Sequence, residues 1–547
     1  MKAGAFIHTR QLAERALFSG KVAGTVLSAG VSSFSVCAQP ASELALASSF
    51  VVSPRVSVSE TYTNNVFLRS AGRQAELITQ VSPGIRISSH GGRISGAVDY
   101  SLSELVYANG SSGRRSQNSL NANLTTEVVD KWAYLDFRGV VGQQAISAFG
   151  APASNGGTAL NGNSTETSVF QLSPYVRGRL GDLANYVARY SLTSSKSKSG
   201  LVSDVASNDV SLQLTGIGGR AGSGWSVAAS HQSVDFNSGR STQAQRINGQ
   251  VSYPFTASLG GYVSASHESN NYGAASSQQD TFAALGVNWT PNEETRVSID
   301  RNSNGSTGLV VNWAPSRRTN VSITRETRLY GETHSVALAY RTASTAWTFN
   351  DSRSAVSGPG QSLAGSSASL YDLLSAQFAA GEKDPAKREQ YDLYLQANGI
   401  RPGATAVGGF LTSAVSLQRQ QQLSFALFGE RSTVSVTATR SSNTRLDTAS
   451  AALDDLSNSP VVQQNGLSVN YSYRLTARSV VSVAAAVQKS SGSSAQIGTS
   501  SKSVNVNLST QLSKDTSANV SARHVVFESS TAPYTETAVI GNLSVQF

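Results

Sequence analysis

The chain has 547 residues, of which 39% are AVILMFWYC and 14% are charged, with a formal net charge of +9. No stretch reaches the roughly 18 uninterrupted apolar residues that a membrane-spanning helix needs, which excludes helical spans. A single cysteine excludes a disulfide scaffold, and the positive balance is too weak for a nucleic-acid footprint. Low charge with abundant Ser, Thr, Asn and Gly fits strands that have one apolar and one wet face. Composition alone is equally compatible with a soluble β-solenoid or an adhesin-like repeat protein.

At the N-terminus, Lys2, Arg10, Arg15 and Lys21 precede a weakly apolar stretch from Val22 to Val36. Val36-Cys37-Ala38 supplies small residues for signal peptidase, so residues 1–38 read as an export signal cut after Ala38. Val36 stands where a lipoprotein signal needs a small residue, which argues against lipidation at Cys37. Residues 39–53 read as a periplasmic segment, with strands starting at Pro54.

From Pro54 onward, short turns alternate with long Gly/Ser/Asn loops. The short ones include Pro291-Asn292-Glu293-Glu294, Pro315-Ser316-Arg317-Arg318, Gly429-Glu430-Arg431, Leu475-Thr476-Ala477-Arg478 and Ser513-Lys514-Asp515-Thr516. The long ones include Ala148–Glu166, Ser195–Ser207, Ser441–Asn465 and Ser490–Lys502. This asymmetry predicts an all-β fold over residues 54–547, a transmembrane antiparallel up-and-down β-barrel of about 24 strands, within a range of about 18 to 26. Short turns then face the periplasm and long loops the exterior.

A period of two sorts the wall residues. In Val263-Ser264, Val297-Ser298, Val321-Ser322, Val434-Ser435, Val481-Ser482 and Val520-Ser521 the valines are expected to face lipid and the serines the lumen. His231, His267, Arg301, Arg325 and His524 recur at one depth, as polar side chains reaching an interface rather than as a metal cluster. If Val81, Ile85, Phe137, Val176, Val251 and Tyr471 face lipid, then Arg86, Arg93, Arg138, Arg177, Arg179, Arg189, Arg246 and Arg474 face the lumen. Asp99 and Asp136 join them, leaving a basic excess that favours anionic solutes. Pairing of each arginine with a neighbouring carboxylate is the competing expectation.

Trp132, Trp225, Trp289, Trp313 and Trp347 all lie near turns of the short class, which predicts a periplasmic aromatic girdle. Residues 353–417 interrupt the strands. Ser369–Ala380, stopped by Gly381, and a second segment from Asp384-Pro385 to Ala397 read as helices. Leu370, Leu374, Phe378, Tyr391 and Tyr394 give them apolar sides, suited to a cap or a plug. The chain then ends on an alternating strand in which Leu543, Val545 and the terminal Phe547 resemble the assembly signal of outer-membrane barrels.

The wording Ser59-Glu60-Thr61-Tyr62-Thr63-Asn64-Asn65-Val66-Phe67-Leu68, with Ser82-Pro83-Gly84-Ile85 and Tyr100-Ser101-Leu102, resembles outer-membrane proteins associated with the PEP-CTERM/exosortase system. Val129-Asp130-Lys131-Trp132, Gln144 to Gly150, Trp313-Ala314-Pro315-Ser316 and Asp384-Pro385 with Arg388 resemble the same family. These motifs are family labels, not catalytic signatures. The resemblance implies a role in moving exopolysaccharide, with periplasmic polysaccharide-export proteins as partners.

The six histidines and the serines form no catalytic constellation, metal spacing or phosphate loop, so neither an enzyme nor a cofactor is expected. Expected partners are the lipid bilayer, lipopolysaccharide and the barrel-assembly machinery, with no nucleic acid, in the outer membrane of a Gram-negative bacterium. Two function classes remain. One is a conduit for exopolysaccharide or another anionic polymer, gated or capped by the insertion. The other is a non-transporting surface or scaffold barrel displaying loops for matrix attachment; a general anion-preferring porin is a variant of the first.

Overall fold

A computed structural model describes residues 50–151, 158–217, 223–272, 278–357, 409–447, 454–493 and 498–547. The first six strands are β1 (Phe50–Thr63), β2 (Glu76–Gly91), β3 (Ile94–Tyr107), β4 (Arg115–Val129), β5 (Ala133–Ala145) and β6 (Ser164–Leu180). Next come β7 (Ala184–Ser197), β8 (Val205–Gly216), β9 (Gly224–Phe236), β10 (Ser241–Pro254), β11 (Leu259–Asn270) and β12 (Gln278–Asn292). They are followed by β13 (Thr295–Asn302), β14 (Thr307–Ser316), β15 (Thr319–Arg328), β16 (Gly331–Arg341), β17 (Thr345–Val356) and β18 (Ser416–Phe428). The last are β19 (Ser432–Arg445), β20 (Val461–Arg474), β21 (Ser479–Ser491), β22 (Gly498–Gln511), β23 (Thr516–Ser529) and β24 (Tyr534–Gln546). One helical turn, α1 (Asp455–Asn458), precedes β20 and is capped by Asp454, whose side chain accepts from Ser457 N.

Every strand pairs antiparallel with its neighbour, and β1 pairs with β24, so the sheet of 24 strands is closed. Closure leaves no unpaired strand edge, which is the condition for crossing hydrocarbon with strands. The register puts Val58 opposite both Val81 and Leu543, and Val56 opposite Pro83 and Val545. Val56, Val58, Val81 and Leu543 share the outer face and stay exposed, as do Leu285, Val263 and Val520 farther round. Such an apolar band is costly against water and costs little against lipid. The chain is therefore an outer-membrane β-barrel.

The seam is also stitched from inside. Arg523 donates to both carboxylate oxygens of Glu536 at 3.0 Å, and Thr63 Oγ1 donates to Glu536 Oε1 at 2.9 Å. At the very end Phe547 N donates to Pro54 O at 2.8 Å, so the chain terminus is tied to the first strand.

The C-terminus and most short turns share one end of the barrel, and the longest connections share the other, where β15 and β16 are nonetheless joined by only two residues. All five tryptophans sit at the short-turn end, on the outer face or in the adjoining turn. Trp289 opposes Leu259 and Val297, Trp313 opposes Val321, and Trp347 opposes Tyr340 and Phe425. Trp225 lies over Gly216 of the neighbouring strand, where an added Cβ would come within 2.4 Å of its Nε1. An aromatic ring thus covers the backbone that glycine leaves bare.

Three boundaries differ from the sequence expectation. β1 begins at Phe50, so Phe50–Ser53 belong to the wall, paired with Ser89–Arg86. Arg353–Val356 and Ser416–Leu417, expected within the insertion, are paired strand residues, because the alternation continues there and finds a partner. Gly409–Val415 is irregular rather than strand or helix and is buried from Phe410 to Val415. The signal segment 1–38, residues 39–49, and Leu370, Leu374, Phe378, Tyr391 and Tyr394 lie outside the described residues.

Candidate functional site

The register sorts the arginines. Arg86 opposes Ser53 and Asp99, Arg138 opposes Asn123 and Gln171, and Arg177 and Arg189 flank Tyr175 on the face opposite Val176. With Arg179, Arg246 and Arg474 they occupy the inward phase of their strands. Arg93 does not. It sits in the tight turn between β2 and β3 after Gly92, whose φ is +76°, and its carbonyl accepts from Glu127 N at 2.7 Å at the margin of the ladder.

Pairing divides them further. Arg189 donates to Asp136 Oδ2 at 2.7 Å and Arg246 to Glu326 Oε2 at 3.2 Å, so these two follow the paired expectation. Arg177 donates to the hydroxyl of Tyr134 at 2.7 Å, and its guanidinium lies 4.4 Å from that ring centroid. Tyr134 stacks on Tyr175 at 4.9 Å, and Arg189 covers Tyr175 at 4.1 Å. Among the described residues Arg86, Arg138, Arg177 and Arg179 form no salt bridge. The result is a lumenal patch of tyrosine and arginine on β2 and β5–β7. Arg55, which sequence reasoning passed over, faces inward as well but is neutralised by Asp99.

The other end of the lumen is bridged. Residues Gly409–Val415 leave β18 and reach loops nearly half-way round the ring. Leu411 N donates to Ala145 O at 3.2 Å, and Ser203 N donates to Ser413 Oγ at 2.7 Å. Phe410, Ala414 and Leu456 pack with Ala148 and with Val462, on the inward phase of β20. On the far side Val66 packs against the wall residues Ile78, Leu105 and Tyr107, while Leu160 N donates to Val66 O at 2.8 Å. Leu68, Ala159, Phe527 and Tyr534 extend this contact to the seam.

Three aspartates before β20 hold the bridge. Asp447 accepts from Val415 N at 3.0 Å, from Arg445 Nε at 2.7 Å and from Arg240. Asp454 accepts from Ser413 N at 2.7 Å and Thr412 Oγ1 at 2.8 Å. Asp455 accepts from Ser147 Oγ at 2.7 Å and Ala148 N at 2.6 Å, and burial pushes its carboxyl above the ordinary range. Nothing in the sequence marked these residues, because Ser441–Asn465 looks like any polar loop. The only local cue was an aspartate pair before Leu456 and Ser457, a capping pattern.

Among the described residues no group of three metal-ligating side chains converges. His267, Arg301, Arg325 and His524 stand on the outer face near the long-loop end, opposite Ile247, Leu285, Leu309 and Val504. His231 joins them opposite Val210.

No protein-family model matches the chain. No curated protein matches it either. Among solved structures it is similar to the FrpB iron transporter of Neisseria meningitidis, at 12% identity over 90% of this chain and 82% of that one, with a TM-score of 0.44. The siderophore receptor PirA of Acinetobacter baumannii gives 10% identity over 91% and 80%, with a TM-score of 0.40. Likeness at this level carries nothing about cargo.

Proposed function

We propose that this barrel is a conduit for an anionic polymer, exopolysaccharide first among the candidates, and that the loop bridge at the outer mouth is its gate. The observation that carries the reading is the lumenal arginine set of Arg86, Arg138, Arg177 and Arg179, which lacks carboxylate partners among the described residues and is interleaved with Tyr134 and Tyr175. Inward cations select for anions by long-range attraction. The stacked tyrosines and Arg189 hold Arg177 in place by ring contact and a hydrogen bond rather than by a neutralising carboxylate. The resemblance to PEP-CTERM/exosortase-associated barrels points the same way and adds a periplasmic polysaccharide-export partner. No step in this reading is catalytic.

The test is ion selectivity and polymer block in planar bilayers. The reversal potential across a salt gradient should report anion preference, and oligomers of a uronic acid should block current when added on the short-turn side. Changing Arg138, Arg177 and Arg179 together to Ser should lower the anion-to-cation permeability ratio several-fold and weaken block. A barrel that conducts with cation preference contradicts the anionic cargo, and block by neutral oligomers alone points to a neutral polymer. A barrel that stays silent with its bridge cut favours the surface scaffold.

A further inference from the structure

The outer wall carries a cleft on β17–β19 that the conduit reading does not use. It is lined by Arg353, Arg419 and Arg440, with Gln421, Ser442 and Thr444 beside them. Arg353 lies directly opposite Arg419, and Arg440 lies opposite Gln421, one step diagonal from Arg419. Like charges placed directly across a strand pair repel. Only one is answered: Arg419 donates to Asp351 Oδ2 at 2.7 Å, and Asp351 also takes His334 and Gln421. Among the described residues Arg353 and Arg440 form no salt bridge; Glu332 lies within electrostatic reach of Arg353 but is itself bridged to Arg325. The cleft therefore keeps a net positive charge that the protein itself does not balance.

Its position names the counter-charge. All three arginines point to the lipid side, since they share a face with Leu423, Phe425 and Leu427 on β18 and with Val434 and Val436 on β19. They stand toward the long-loop end, and the apolar residues continue from them toward Trp347 at the other end. Arginines with hydroxyl and amide groups beside them, and an aliphatic and aromatic wall below, match one kind of molecule. That molecule has a phosphorylated sugar head and several acyl chains.

We infer that this cleft binds a phosphorylated glycolipid headgroup of the outer leaflet, with Arg353 and Arg440 as its phosphate ligands. Arg419 contributes through the geometry that Asp351 fixes. Guanidinium and phosphate pair bidentately, which suits arginine to this role. Inorganic phosphate shares the chemistry, but only a lipid also uses the apolar wall beneath.

The test uses the full-length protein refolded in detergent free of lipopolysaccharide. Diphosphorylated lipid A, its dephosphorylated counterpart and inorganic phosphate are each titrated against it by native mass spectrometry. Diphosphorylated lipid A should bind one per barrel, and at least about tenfold more tightly than the dephosphorylated form, as two lost charge-assisted contacts imply. R353S/R440S should lose that preference while keeping heat-modifiable migration, and K489S, outside the cleft, should keep it. Equal binding of the two lipids to the unaltered protein overturns the inference, whether or not the double variant folds. Inorganic phosphate competing at concentrations equal to the lipid overturns the lipid assignment.

Discussion

At the mouth, burial acts on a titratable residue that also holds the loop bridge. Asp455 is held by Ser147 and Ala148 in a buried setting, and burial lifts its carboxyl above the ordinary 3.8. A group raised in the folded state adds stability that is full below the ordinary value and fades as pH climbs through the raised one. The bridge should accordingly be tightest below the ordinary carboxylate value and loosen as pH climbs through the raised one, seen as single-channel conductance rising with pH. D455N, which keeps the shape without the charge, should flatten that profile; an unchanged profile would place the titrating group elsewhere. The tryptophans are the other residue-scale claim. Quenching by lipids labelled at graded depths should find Trp132, Trp225, Trp289, Trp313 and Trp347 near one interface, and a split between two depths would contradict the topology.

At the scale of elements, β24 has to satisfy two neighbours at once. Val545 opposes Val56 and Thr516, Leu543 opposes Val58 and Ala518, and Phe547 N reaches Pro54 O. Deleting Phe547 should sharply lower the heat-modifiable, membrane-inserted fraction, measured by gel shift of membrane extracts; full insertion would remove Phe547 from the assembly signal. The strands were legible because a two-residue period survives any long-range context: Val263, Val297 and Val321 advertise their face by themselves. Loop lengths were overread, since β19 runs on to Arg445 and β20 starts at Val461, with polar residues that pair beyond the lipid. The mouth bridge was illegible for a different reason. Leu411 meets Ala145, and Asp447 meets Arg240, only after the ring has closed, and contacts between distant loops leave no periodic trace.

For the whole molecule, the proposed reading joins the closed ring, the lumenal arginines and the loop bridge into one device, a conduit gated at the long-loop end. Breaking a buried pair such as Arg240–Asp447 leaves an uncompensated charge and costs about 3–5 kcal/mol, while the backbone ladder of the wall is untouched. The three aspartates can therefore be removed without unmaking the barrel. The most direct measurement is single-channel conductance in planar bilayers of the unaltered protein beside D447S/D454S/D455S, both shown to be folded by heat-modifiable migration. A gated conduit predicts small, rare openings in the first and a large, sustained anion-preferring conductance in the second. Equal conductance in the two would contradict the gate, and the absence of current in both would contradict the conduit itself.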